Sequence, residues 1–408
     1  MKTKVLLVGD YNRSDFLYVA RLLHSRIDFF FIEFMNQHFL RNKECLKYGQ
    51  VIYWKDYKDA YDLLNKICPE KVVFYFIESF NHVALNVAAK VCGISTYHLE
   101  HGLRFKLGVP LKEKNQVERT LERIKKIGQL RHLYDRYAGR MFFQNTIKES
   151  GEKEKEFLRL FYSVRKKNSI QATFKKIKDP LRLPDCYISF SPLIFDYHRE
   201  LESLPCNYPV HYIGIPNFDH FCNWKDLHNY GNNILFIDQP LFEKKLMGWN
   251  RESKKNFLEQ LATIVHSLGK KLYIKPHPWN DKSIYEAVPE HLIVFEEIWE
   301  TVVPDINTVL GFSSTLLMPF MAMDHIACFT LEMHPQNGGS YYSGFLLESK
   351  ACHLVTSFED LTDKLIHRDT WHQKQKAYKN TFIDKWMYKF DGKCSERLSK
   401  VLIKDETV

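Results

Sequence analysis

Short, near-continuous apolar runs alternate along this chain with longer stretches in which apolar residues recur every three or four positions. The runs have the length and branched or aromatic character of buried strands, and the spaced stretches have the period of helices packed on one face. In the first half, strands are expected at residues 4–8, 29–34, 51–53, 71–76, 96–99, 186–191 and 211–215, with helices such as 16–24 and 82–92 between them. A polar, turn-rich stretch around Gly231-Asn232-Asn233 interrupts this series. A second series follows, with strands at 234–237, 271–275, 292–295, 309–311 and 327–330, helices at 254–268 and 316–323, and terminal helices at 358–367 and 371–388. Regular alternation of this kind means parallel sheets with helices on both faces. The expected fold is α/β, with two facing Rossmann-like domains and the active site in the cleft between them. The first domain is placed at 1–225, with a basic helical insertion at 111–182. The second is placed at 226–385, and a C-terminal helix at 386–408 is expected to pack back on the first.

Length agrees with this division, since 408 residues exceed one ordinary core. The first residues, MKTKVLLVGDYN, reach Gly9-Asp10 too soon for a secretory h-region, and the most apolar stretch, 308–323, is interrupted by Ser313, Ser314 and Thr315. A cytoplasmic protein is expected, peripheral at most on the inner face of a membrane. Nine scattered cysteines with no C-x-x-C pair read as reduced thiols. The formal charge of +9 concentrates in 111–140 and 153–182. In the first of these segments, Val117, Leu121, Ile124, Ile127, Leu130 and Tyr134 recur at helical spacing. Such a basic amphipathic helix suits an anionic glycan or an anionic inner-membrane surface; its plainer reading is the solvated face of a packed helix. No nucleic-acid partner is expected.

Three segments carry candidate chemistry, and each follows an expected strand, where open parallel sheets bind ligands. Leu99-Glu100-His101-Gly102 supplies a carboxylate and an imidazole, either of which can take a proton from a hydroxyl. Lys275-Pro276-His277-Pro278 holds a histidine between two prolines that restrict its backbone, beside a cation. Gly311-Phe312-Ser313-Ser314-Thr315 places hydroxyls before an apolar helix, a setting for a phosphate. Taken singly, each also reads as ordinary structure: a strand end, a turn and a helix cap. Gln239-Pro240 opens the ligand face of the second series. Glu296-Glu297 is placed to meet a ribose, or simply to complement a helix dipole. With no D-x-D, H-E-x-x-H or P-loop pattern, no catalytic metal is indicated.

On these residues the chain resembles bacterial capsule and lipooligosaccharide glycosyltransferases of the GT-B fold, in particular the sialyltransferase and polysialyltransferase group. That group carries an acidic-acidic-glycine motif, an HP motif and a Ser-Ser/Thr motif in this order. Here the matching residues are Glu100-His101-Gly102, His277-Pro278 and Ser313-Ser314-Thr315. The resemblance covers mainly 95–105 and 234–330. It implies a CMP-linked donor sugar of sialic acid or Kdo type, no other cofactor, a glycan acceptor and an inverting displacement. Glu100 is then the base, His277 assists the departing phosphate, and Ser313 and Ser314 bind it. The departure is His101, where the group has its second acidic residue. Teichoic acid glycerophosphotransferases share a His-Gly there and use the histidine as base, so a CDP-polyol donor stays open. The segment His98-x-Glu100-x-Gly102-Leu103-Arg104 is also similar to one in UDP-GlcNAc 2-epimerases, although their Ser-Gly-Gly phosphate segment is replaced here by Ser313-Ser314-Thr315. A non-catalytic scaffold of this fold is the remaining alternative.

Overall fold

The structure is a computed structural model, and it describes residues 2–103, 130–286, 292–295, 298–336 and 343–403. The described residues fall into two compact units: 2–103, 130–217 and 393–403 form the first, and those within 218–392 form the second.

The first unit is built on seven parallel strands, β1 (Thr3–Val8), β2 (Ile27–Ile32), β3 (Gly49–Ile52), β4 (Lys71–Phe74), β5 (Ser95–Leu99), β6 (Cys186–Ser189) and β7 (Val210–Tyr212). Their order is β3-β2-β1-β4-β5-β6-β7. Val5, Leu6, Leu7 and Val8 are fully buried, which is why the first run has no polar alternation: helices cover both faces of the sheet. The basic stretch that begins at residue 153 forms a helix, Glu152–Lys167, whose Phe157, Leu158 and Phe161 are buried in this core. That apolar face is therefore already occupied, and what the helix offers outward is mainly charge, with Leu160 exposed among it. Residues 111–129 of the expected basic insertion lie outside the described residues. The helix Cys394–Leu402 returns to the first unit, where Lys71 Nζ donates to the Val401 carbonyl at 2.5 Å and Arg397 Nε to the Ile213 carbonyl at 2.8 Å.

The second unit carries six parallel strands, β8 (Asn233–Ile237), β9 (Leu272–Lys275), β10 (Leu292–Val294), β11 (Ile306–Gly311), β12 (Ala327–Leu331) and β13 (His353–Val355), ordered β10-β9-β8-β11-β12-β13. The pair of Rossmann-like sheets expected from the alternation is thus present. The three-residue edge strand β13 was not expected, and the single helix expected at 371–388 is broken. Arg368–Lys376 and Lys379–Phe382 are separate helices, followed by a wide π turn, Ile383–Met387. The break admits Lys379, which is buried and donates to the carbonyls of Met323 and Ile326.

No helix among the described residues is long and apolar enough to cross a membrane.

Candidate active site

In the second unit the strand order turns back between β8 and β11. The chain lays β9 and β10 on one side of β8, then β12 and β13 beyond β11. At such a switch point the loops leaving the two strands, here β8 and β11, diverge at the carboxyl edge, and sheets of this kind take ligands in the crevice between them. The loop after β8 holds Gln239, half-buried, and the loop after β11 holds Ser313, Ser314 and Thr315. The loop after β9, one strand away, holds His277.

The Gln239 loop is anchored from beneath by a pair that the sequence did not reveal. Asp238 and Lys254 are both 0% exposed at their side chains and are hydrogen-bonded to each other. Asp238 also accepts from the Tyr285 hydroxyl at 2.5 Å and from the Gln239 amide at 2.6 Å. Lys254 lies on the helix Arg251–Ser267, started by a capping box in which Asn250 and Ser253 bond each other's backbone. Its Nζ lies 5.7 Å from the centre of the Phe236 ring and 5.9 Å from that of Trp249. The burial of the Tyr285 hydroxyl, and then its Asp238 neighbour, raise its pKa far beyond the ordinary phenol range.

His277 is fixed by its own loop. The Trp279 amide donates to its Nδ1 at 3.2 Å, and its own amide donates to Asn280 Oδ1 at 2.5 Å. Asn280 is held in turn by Glu243, whose Oε1 accepts from Asn280 Nδ2 at 3.1 Å and from the Asp281 amide at 2.8 Å. Because Nδ1 accepts, the neutral ring carries its proton on Nε2 and presents it as a donor. Burial, followed by the nearby Lys244 charge, lowers the His277 pKa below its usual value and favours that neutral form. Lys275 is half-buried, with Nζ 6.0 Å from the centre of the Trp299 ring. Pro278 is exposed, and Glu296 and Glu297 lie outside the described residues.

Ser314 is buried, and its Oγ accepts from the Leu316 amide at 3.3 Å, so it closes the turn. Ser313 is half-buried and Thr315 exposed. The helix that follows spans only Leu317–Met321, shorter than expected. Its end charge is correspondingly small, and an anion here would rest on hydroxyls and loop amides. Behind this loop the Trp249 indole donates to His334 Nδ1 at 3.0 Å, and His334 Nε2 donates to Glu332 at 3.0 Å. Phe312 packs on the same His334 ring, so the hydroxyl loop sits on a rigid polar relay.

In the first unit, Glu100 follows β5, as expected, but it is almost wholly buried, at 1% exposure. Its Oε2 accepts from His198 Nε2 at 2.6 Å, and its Oε1 accepts from the His101 amide at 3.3 Å. Its own carbonyl accepts from the Tyr18 hydroxyl at 2.7 Å. His198 comes from the helix Pro192–Glu202, capped by Ser191, and its ring packs edge-on to His98 at 4.8 Å. His101 is half-buried and lies flat on Phe16, with ring centroids 4.8 Å apart. Phe16 is pressed on its other partners, Tyr75 at 4.6 Å and the Arg13 guanidinium at 4.7 Å. Gly9 is required by the same packing, because a Cβ there would come within 2.5 Å of the Tyr75 ring. His198 carried no motif in the sequence; the Ser191-Pro192 helix start was the one available signal that a helix begins beside β6.

A family model described as alpha-2,8-polysialyltransferase (POLYST) matches residues 33–332 of the chain. No curated protein matches it. Among solved structures, it is similar to a glycotransferase of kitacinnamycin, at 8% identity and a TM-score of 0.49, covering 99% of this chain and 100% of that one. It is also similar to the spinosyn rhamnosyltransferase SpnG, at 10% identity and a TM-score of 0.49 over 98% and 100% of the two chains. The wall teichoic acid polymerase TagF is matched at 12% identity and a TM-score of 0.48, over 98% of this chain and 88% of that one.

Proposed function

We propose a function from one premise: the chain belongs to the alpha-2,8-polysialyltransferase family. It is a glycosyltransferase. The finer reading is that it transfers an acidic sugar of sialic acid or Kdo type from a CMP-linked donor to a glycan hydroxyl, in the synthesis of a bacterial surface polysaccharide.

The observation that most supports this reading is the His277 loop. A leaving phosphate oxygen gains charge as its bond to the anomeric carbon breaks, and it is met best by a fixed donor that need not reorganise. The Trp279 amide holds His277 in the tautomer that offers Nε2–H, and the hydroxyls of Ser313 and Thr315 stand two strands away across the crevice. In the proposed step the acceptor oxygen attacks the anomeric carbon from the face opposite the phosphate. Its proton passes to a general base, and the CMP phosphate leaves towards His277.

For the base, burial separates the two candidates. Glu100 is engaged on both oxygens, whereas His101 is half-buried with its ring on Phe16. We therefore assign the acceptor-facing role to His101, and to Glu100 the holding of the His101 backbone. This arrangement favours a second reading, a CDP-polyol phosphotransferase, in which a histidine at this position is the base. The test is CMP release from CMP-sialic acid, measured with and without a sialylated acceptor. Acceptor-dependent release that is abolished in His101→Ala supports the first reading. Release only from CDP-glycerol supports the second, and release from neither donor overturns both.

A further inference from the structure

A cavity of about 520 Å³ opens at the carboxyl edge of the first sheet, beyond β2, β3 and β4. This lies within the range of about 300–1,000 Å³ usual for small-ligand sites. Its walls are aromatic, from Trp54, Phe39 and Phe143 among others, and its polar groups include Glu33, Asn81 and Ser79. Glu33 is held firmly: His82 Nε2 donates to its Oε2 at 3.1 Å, and its carbonyl accepts from the Trp54 indole at 2.8 Å. That bonding leaves Oε1, on a side chain 21% exposed, to accept from ligand hydroxyls. Among the described residues one exposed cation, Arg140, lines this cavity against the Glu33 charge. A second cavity of about 340 Å³ shares the Ser79, Phe80 and Tyr162 wall. There Arg165 and Lys166 outweigh Glu78, and Lys166 Nζ lies 5.9 Å from the centre of the Tyr162 ring. The pair of cavities adjoins the Glu100–His101 end of the sheet, because the Phe76 ring packs on His82 at 5.3 Å and on His101 at 6.2 Å.

We infer that these cavities are consecutive acceptor subsites of different character, the first for an uncharged sugar ring and the second for an acidic one. The inference rests on the glycosyltransferase reading and names its acceptor class: a mixed neutral and acidic glycan, not a homopolymer of acidic sugars. Aromatic faces stack on the apolar faces of a pyranose, a fixed carboxylate and an amide accept and donate to its hydroxyls, and a charge-balanced pocket gains nothing from a further anion. The second compartment, with its net positive charge, attracts one.

The test is calorimetric binding of lactose, sialyllactose and an oligosialic acid to the full chain without donor. Lactose and sialyllactose are expected to bind, sialyllactose about tenfold tighter. That margin should vanish in Arg165→Glu/Lys166→Glu and in high salt. Glu33→Ala is expected to weaken both at least tenfold. Asn81→Ala, at a half-buried position, repeats the test should Glu33→Ala fail to fold. Oligosialic acid binding tighter than sialyllactose, or pocket variants that bind lactose like the parent, would overturn the inference. CMP-induced thermal stabilisation of the parent protein, read in parallel, reports separately on the donor reading.

Discussion

The two units hold their candidate chemistry in different ways. In the second, His277 is fixed by Trp279 and Asn280, neighbours two and three positions along the chain. In the first, Glu100 is fixed by His198 and Tyr18, 98 and 82 positions away. A loop that organises itself writes its function into a short motif. A site assembled from distant elements writes only one of its members there, and its partners surface when the sheet and helices are in place. The difference also predicts behaviour: a lesion at the local site should cost chemistry alone, and a lesion at the assembled site should cost stability as well.

The largest effect is expected where this contrast breaks down inside the second unit. Lys254→Met leaves Asp238 charged and buried without its partner, and should cost about 3–5 kcal/mol of stability together with nucleotide binding. Chemical denaturation of the variant reads the first and a nucleotide titration the second; a parent-like midpoint would show that the Asp238–Lys254 pair does not support the Gln239 loop. His277→Ala sharpens the comparison. Turnover should fall by about 10²–10⁴-fold while the melting temperature stays within a degree or so of the parent, since only a half-buried ring on a self-bonded loop is lost. A large drop in melting temperature would mean that this histidine is structural.

Acid should then separate the units. His325 and His372, at the amino edge of the second sheet, are each held down to about 4 by burial first and then by the charges of Lys379 and Arg368. Both folded values lie below the ordinary 6.5, so the unfolded chain binds more protons between about 4 and 6.5. Their contribution is complete above that window and is lost as pH falls through it, at roughly 3 kcal/mol per histidine. Melting followed from pH 7 to pH 4 should show the second unit weakening first. A first unit that melts ahead of it would contradict the assignment. The smallest effect is expected at His198→Ala, which strips one partner from the Glu100 carboxylate and should cost about 1–3 kcal/mol along with a loss of activity. Lost activity with an unchanged melting temperature would remove the distinction between the two sites.

Much of the fold was legible in the sequence because parallel strands buried on both faces are near-continuous apolar runs. Residues 4–8, 234–237 and 327–330 were of this kind, and they fall inside β1, β8 and β12. The edge strand β13 was not legible, because His353 and Leu354 are only half-buried and three residues make no pattern. Among the candidate residues, Glu100, His277 and Ser313 lie directly beyond strands, as their spacing required. Lys254 was invisible, since a lysine on an amphipathic helix reads as solvent-facing until Phe236 and Trp249 are seen beside its ammonium. The burial of Glu100 was equally hidden, and it is on this burial that the proposed acceptor-facing role of His101 rests.

The central claim is that the crevice between β8 and β11 takes a cytidine nucleotide. It is tested most directly by titrating the full chain with CMP, CDP, UMP and UDP and following thermal stabilisation, in the parent and in His277→Ala. The account predicts stabilisation by CMP or CDP and none by the uridine nucleotides, with the cytidine shift reduced in His277→Ala. Stabilisation by UDP alone would contradict it, and would move the chain to a uridine-nucleotide enzyme sharing the same pair of sheets.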